Sequence, residues 1–151
     1  MHYLRILILI LFHFATMSRA FAALGDVEST IGNDQQKLRA VRTQRESKQN
    51  YSIHELESNM HTVREFIGQD GTIFAVSWQG NIRPDLSVLL GQYFPHYKAL
   101  DDARPRMTSR HPVTIKTDKI VVIKGGHMRD VRGLAYIQDR LPAGVNLEDL
   151  Q

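Results

Sequence analysis

No cysteine occurs anywhere in the chain. That excludes disulfides, thiolate metal sites, thiol nucleophiles and the lipid anchor that bacterial lipoproteins carry on a cysteine. Also missing are a Gly-x-Ser-x-Gly elbow, a phosphate-binding loop and a dinucleotide fingerprint, the local patterns that place a nucleophile or cradle a phosphate. His54-Glu55 opens a zinc-protease pattern, but position 58, where the second histidine would fall, is serine. His54, His61, His96, His111 and His127 never stand at i, i+2 or i+4, so no metal site is announced. The sequence implies no catalytic residue, no cofactor and no metal.

A long spanning run is lacking as well. Ile6-Leu7-Ile8-Leu9-Ile10-Leu11-Phe12 is interrupted by His13 and Arg19, short of the roughly 20 residues a spanning helix needs. With Arg5 before it and Ala20-Phe21-Ala22 after it, the stretch reads as a secretory signal peptide over 1–22, cleaved after Ala22. Export to the periplasm, or secretion, follows, with no transmembrane span left after cleavage. Excess charge of one sign is missing too. The whole chain carries 19 basic and 16 acidic side chains, and loss of Arg5 and Arg19 leaves 17 against 16. So balanced a chain argues against a nucleic-acid partner.

What is present is sheet. Thr62 to Trp78 reads as two strands joined by Asp70-Gly71, since both central residues of a tight hairpin turn must tolerate positive φ. A two-residue turn sets Ile67 opposite Phe74, Glu65 opposite Val76 and Val63 opposite Trp78. Phe74, Val76 and Trp78 then share the core face with Glu65, and Arg64 points the other way. A carboxylate on a core face needs a donor. Arg129, just beyond a reversal at Gly125-Gly126, is the cation expected to supply it, because its planar fork suits a carboxylate.

Along the rest of the chain, Asp26 is expected to cap an amphipathic helix carrying Val27, Ile31, Leu38 and Val41. Arg42 to Asn50 reads as a polar connector. Tyr51 to Glu57 is a strand turning at Ser58-Asn59, which sets His54 against Val63 and Ile53 against Arg64, and makes the Val63 strand central. Pro84-Asp85-Leu86 starts a short helix with Leu86, Leu89, Leu90 and Tyr93 on one face. Asp101 to Pro112 reads as an exposed loop. Val113 to Lys116, Ile120 to Lys124 and Val131 to Ile137 complete five to six strands. The domain plan is a signal peptide at 1–22, helix and connector at 23–50, an antiparallel sheet core at 51–141 and an irregular tail at 142–151. The class is α+β, mainly antiparallel sheet.

Ala23-Leu24-Gly25, Val63-Arg64-Glu65-Phe66, Asp70 to Gly80, Pro84-Asp85-Leu86, Leu89 to Phe94 and Gly125 to Arg129 together resemble the exported bacterial proteins grouped as domain of unknown function 2844. The resemblance spans nearly all of the chain after residue 22. It implies a Gram-negative exported protein and carries over no activity or site residue. Ser58-Asn59 departs from the glycine turn usual in that group and leaves the register of the first hairpin open.

Two functions are compatible with these residues. One is a non-enzymatic interaction or structural module, its partner unidentified and expected among envelope proteins, meeting it through a strand edge or helix stripe. The other is a binder of a small or anionic ligand, or a weakly marked enzyme, built on Arg64, Glu65, His127 and Arg129, with the Gly125-Gly126 backbone exposing N–H groups.

Overall fold

The computed structural model describes residues 23–28, 31–105 and 111–151. The signal-peptide reading of 1–22 lies outside these residues, as does the 106–110 part of the expected loop. The class is α+β, dominated by one seven-stranded antiparallel sheet in the order β1-β2-β3-β4-β7-β6-β5. In chain order the elements are α1 (Ile31–Leu38), β1 (Val41–Ser47), β2 (Tyr51–Glu57), β3 (His61–Gly68), β4 (Ile73–Gly80), α2 (Leu86–Leu90), α3 (Phe94–Asp102), β5 (Val113–Lys116), β6 (Ile120–His127) and β7 (Asp130–Ile137).

Three expectations are corrected at the N-terminal side. Among the described residues, the expected helix from Asp26 to Val41 is reduced to the eight residues of α1. Residues 23–28 instead run along the start of β4, with Gly25 N–H on the Ile73 carbonyl, Ile73 N–H on the Asp26 carbonyl and Val27 bridging Thr72. At its far end α1 stops where Arg39 turns left-handed, φ 50°. Ala40 N–H then reaches the Gln35 carbonyl and Arg39 N–H the Gln36 carbonyl, the paired bonds that satisfy the last carbonyls of a helix. Val41 therefore starts a strand. The supposed connector after it is β1, a seventh strand, paired with β2 from Val41↔Glu57 to Ser47↔Ser52. It escaped notice because it is an exposed edge with charged side chains on both sides, which removes the alternation that marks a half-buried strand.

The β3 strand is central, flanked by β2 and β4 as expected. The β2–β3 turn lies one residue later than read, with Asn59 and Met60 between Ser58 and His61, so His54 pairs with Glu65 and Leu56 with Val63. Between β3 and β4 the loop has three residues, Gln69-Asp70-Gly71. Gly71 N–H bonds the Gly68 carbonyl and Gly68 N–H the Thr72 carbonyl, and Gly71 takes φ +75°. This loop pairs Ile67 with Ile73. A bulge at Phe74 then restores the other register, Phe66↔Ala75, Glu65↔Val76 and Val63↔Trp78.

The bulge divides the apolar residues between two cores. On the first face Val63, Ile67, Ile73, Val76 and Trp78 pack with Leu24, Leu38 and the α2–α3 residues Leu86, Leu89, Leu90 and Tyr97. Phe74 leaves this group, contrary to expectation, and joins Phe66, Ala75, Leu134 and Leu150 on the second face. Tyr51, Phe66 and Phe74 meet there at centroid distances of 5.9–6.3 Å. The C-terminal segment covers this part of the second face with Leu141, Val145, Leu147 and Leu150, and Leu147–Leu150 forms a single helical turn. Glycine is required at 133, where a Cβ would stand 2.1 Å from Cζ2 of Trp78, which lies across that backbone.

Candidate functional site

The C-terminal segment covers only part of the second face, and the rest is open. Alternation along β2, β3, β4, β7 and β6 puts Glu55, Arg64, Ser77, Leu134 and Ile123 in one row across it, since each is the register partner of the next. These residues floor a cavity of about 370 Å³, rimmed by Thr62, Gln79, Arg132, Pro112 and Gln151. The volume is within the range of small-molecule sites, about 300–1,000 Å³. Gly125, Gly126 and Gly133 contribute backbone and no side chain to the same wall.

The floor changes character across its width. Leu134 and Ile123 make one side apolar. On the other, Arg64 Nε donates to Glu55 Oε2 at 2.8 Å and Nη1 donates to the Gln151 carbonyl at 3.5 Å. At the rim Arg132 grips Asp130 by two bonds of 3.0 Å, and Gln79 Nε2 donates to the same carboxylate at 3.5 Å. Arg132 holds the Asp130 carboxyl below the usual range. Beyond the Glu55–Arg64 pair lies a second cavity of about 290 Å³, lined by Gln44, Glu46, Lys48, Phe66 and Asp149.

The four residues singled out in the sequence do not converge. Arg64 lines the cavity. Glu65, its neighbour, points through the sheet into the first core and is fully buried. His127 and Arg129 stand exposed at the β6–β7 tip. The expected reversal at Gly125-Gly126 is displaced: both glycines lie within β6, and Met128-Arg129 makes the turn. Arg129 therefore does not meet Glu65. Glu65 is level with Val76 and Ala135, and the tip begins five residues farther along β7, roughly 17 Å at a strand's rise.

Around Glu65 the first core holds a polar cluster instead. His54, directly opposite on β2, is also fully buried. Its Nε2 stands 3.3 Å from Oε1 of Glu28, and Arg45 Nη2 lies 3.0 Å from that same oxygen. Burial lowers the His54 pKa first, and Arg42 lowers it further; Glu28 opposes them without prevailing. Burial also lowers that of His61. His54 and Glu55 thus serve opposite faces of one strand, and no group of three or more potential metal ligands occurs among the described residues.

A second polar group ties α3 to the sheet. Lys124 Nζ bonds Asp101 Oδ2 and the Tyr97 hydroxyl, and that hydroxyl donates to Asp101 at 3.1 Å. Burial pushes Asp101 up, but the Lys124 bond and charge, with Tyr97 and Arg104, bring its carboxyl below the ordinary value.

Sequence reasoning missed Ser77, Gln79, Arg132, Ile123 and Leu134. The available signal was the second face of the hairpin: once Glu65 is assigned inward, Arg64 and its partner Ser77 must share the other side, and a polar pair at the sheet centre marks an opening. Among the described residues no helix is long and apolar enough to cross a membrane.

The family model described as protein of unknown function (DUF2844) matches residues 20–150. The chain belongs to that family. No curated protein and no solved structure matches it.

Proposed function

We propose that this DUF2844 protein is an exported, non-enzymatic binding module that takes a small amphipathic ligand in the second-face cavity. One observation carries the reading: the cavity floor passes from Ile123 and Leu134 to Ser77 and the Arg64–Glu55 pair within a single row of five strands. An apolar ligand body would lie over the first two, and its polar end would reach Ser77 and the arginine. Because Arg64 is already hydrogen-bonded to Glu55, it orients a polar group rather than attracting bare charge. No nucleophile paired with a base occurs among the cavity residues named here, which favours binding over catalysis.

Export to the periplasm is part of the same reading and rests on Arg5, the apolar run Ile6 to Phe12 and Ala20-Phe21-Ala22. An envelope partner suits that compartment. Intact-mass measurement of the periplasmic protein should give a chain beginning at Ala23; retention of residues 1–22 would overturn the cleavage.

The binding reading is tested with N-phenyl-1-naphthylamine, a neutral apolar body bearing one polar N–H group. Saturable binding at one site, lost in Ile123→Trp while the unfolding transition is retained, is expected. Absence of saturable binding, or binding unchanged by Ile123→Trp, would overturn it.

A further inference from the structure

Large exposed apolar side chains gather at one end of the sheet. Met60 is in the β2–β3 turn, Ile82 follows β4, Met128 is in the β6–β7 turn, and Val41 faces Glu57 beside the first of these. They are 51%, 55%, 94% and 69% exposed; the only others of this kind among the described residues are Val27 and Leu100. Val27, bridged to Thr72, lies by the β3–β4 loop at the opposite end.

The same end is rich in exposed cations. Arg39, two residues before Val41, Arg83, next to Ile82, and Arg129, next to Met128, are all exposed. None of the three has an ion pair among the described residues. Of the nearby acids, Asp130 is occupied by Arg132, and Asp85 accepts from Ser87 N–H as the cap of α2. That leaves Glu57. Arg39 and Arg129 are also the only non-glycine residues with positive φ among those described, at 50° and 67°. A glycine would sit in either place without strain. The chain instead keeps a cation at both, and beside Arg129 it projects the most exposed apolar side chain of the six.

We propose that this end of the sheet docks on an anionic lipid surface, with Met60, Ile82 and Met128 entering the headgroup layer and Arg39, Arg83 and Arg129 meeting lipid phosphates. The chemistry favours lipid over a folded partner. Met60, Ile82 and Met128 stand one on each of three separate connections, whereas a protein interface requires a contiguous, shape-matched patch. A bilayer interface accepts separate insertions and gains from each nearby cation.

The absence of native cysteine makes the test specific. Ile82→Cys, Met128→Cys and Val27→Cys forms of the exported protein, beginning at Ala23, are each labelled with an environment-sensitive nitrobenzoxadiazole fluorophore and mixed with phosphatidylglycerol vesicles. A several-fold rise in intensity with a blue shift is expected at 82 and 128, and none at 27. Adding Arg83→Ala and Arg129→Ala, or replacing the lipid by phosphatidylcholine, should reduce the response severalfold. No change at 82 and 128, an equal change at 27, or an equal response on phosphatidylcholine would overturn the proposal.

Discussion

Glu65 stands directly opposite His54 on the neighbouring strand, and neither side chain reaches solvent. Opposed residues on one face of an antiparallel pair have Cβ atoms about 4.5–5.5 Å apart, so the two share one environment. Glu65→Gln and His54→Leu should therefore couple by more than about 0.5 kcal/mol in a double-mutant cycle followed by urea unfolding. Glu65→Gln and Arg129→Ala should add within about 0.5 kcal/mol, because Arg129 is at a distant tip. The reverse pattern would return Arg129 to the role the sequence suggested.

Acid should weaken the fold in two separate windows. His54 and His61 have folded-state pKa values lowered by burial from 6.5, so the unfolded chain binds their protons first. Their contribution is complete above pH 6.5 and is lost as pH falls from there through the folded values. Asp101 is also lowered, from 3.8, and its contribution is lost below that pH. His54→Leu should reduce the slope in the upper window and leave the part due to His61, since Glu28 keeps Arg45 as its partner. Urea midpoints between pH 7.5 and 5 measure the slope; an unchanged slope would refute the assignment.

Asp101→Asn should cost about 1–3 kcal/mol, because it leaves the partly buried Lys124 ammonium without its anion. The loss should appear as faster amide exchange in α3, the helix this carboxylate fastens to β6. Loss spread evenly over the sheet would place the stabilisation elsewhere.

Gly133→Ala should destabilise by about 1–3 kcal/mol, the usual range for an overpacked site. Its Cβ would occupy the place of the Trp78 ring, and that ring is buried in the first core. Tryptophan fluorescence reads the displacement directly, since Trp78 is the only tryptophan. An unaltered emission maximum with unaltered stability would show that the ring has room to move.

The central strands were legible because β-rich alternation and Asp70-Gly71 are local signals, and they correctly set Glu65 opposite Val76. The edge strand β1 was not, because its exposed positions carry no pattern that distinguishes a strand from a linker. Nor was Asp26 an adequate helix signal: residues 23–28 gain backbone bonds to β4 that a helix would forgo. Arg64 was legible as an outward residue, but its cavity needs Ile123, Arg132 and Leu134 from strands some sixty to seventy positions later, and only the fold brings them beside it. Arg129 was misplaced because glycine pairs usually turn, whereas here they continue a strand.

The three-residue loop and the bulge at Phe74 behave as an insertion and its suppressor. The first shifts the reading frame of the β3–β4 ladder by one residue, and the second restores it before Ala75. Between the two, the inside–outside parity of the chain is inverted, which is how Phe74 is delivered to the opposite core. Alternation continued past Ile73 without the bulge would carry that inversion into Val76 and Trp78, exchanging the contents of two cores. Deleting Phe74 would remove the bulge and leave everything from Ala75 onward in phase, so this hairpin can be shortened at the bulge with the loss of one side chain from the second core.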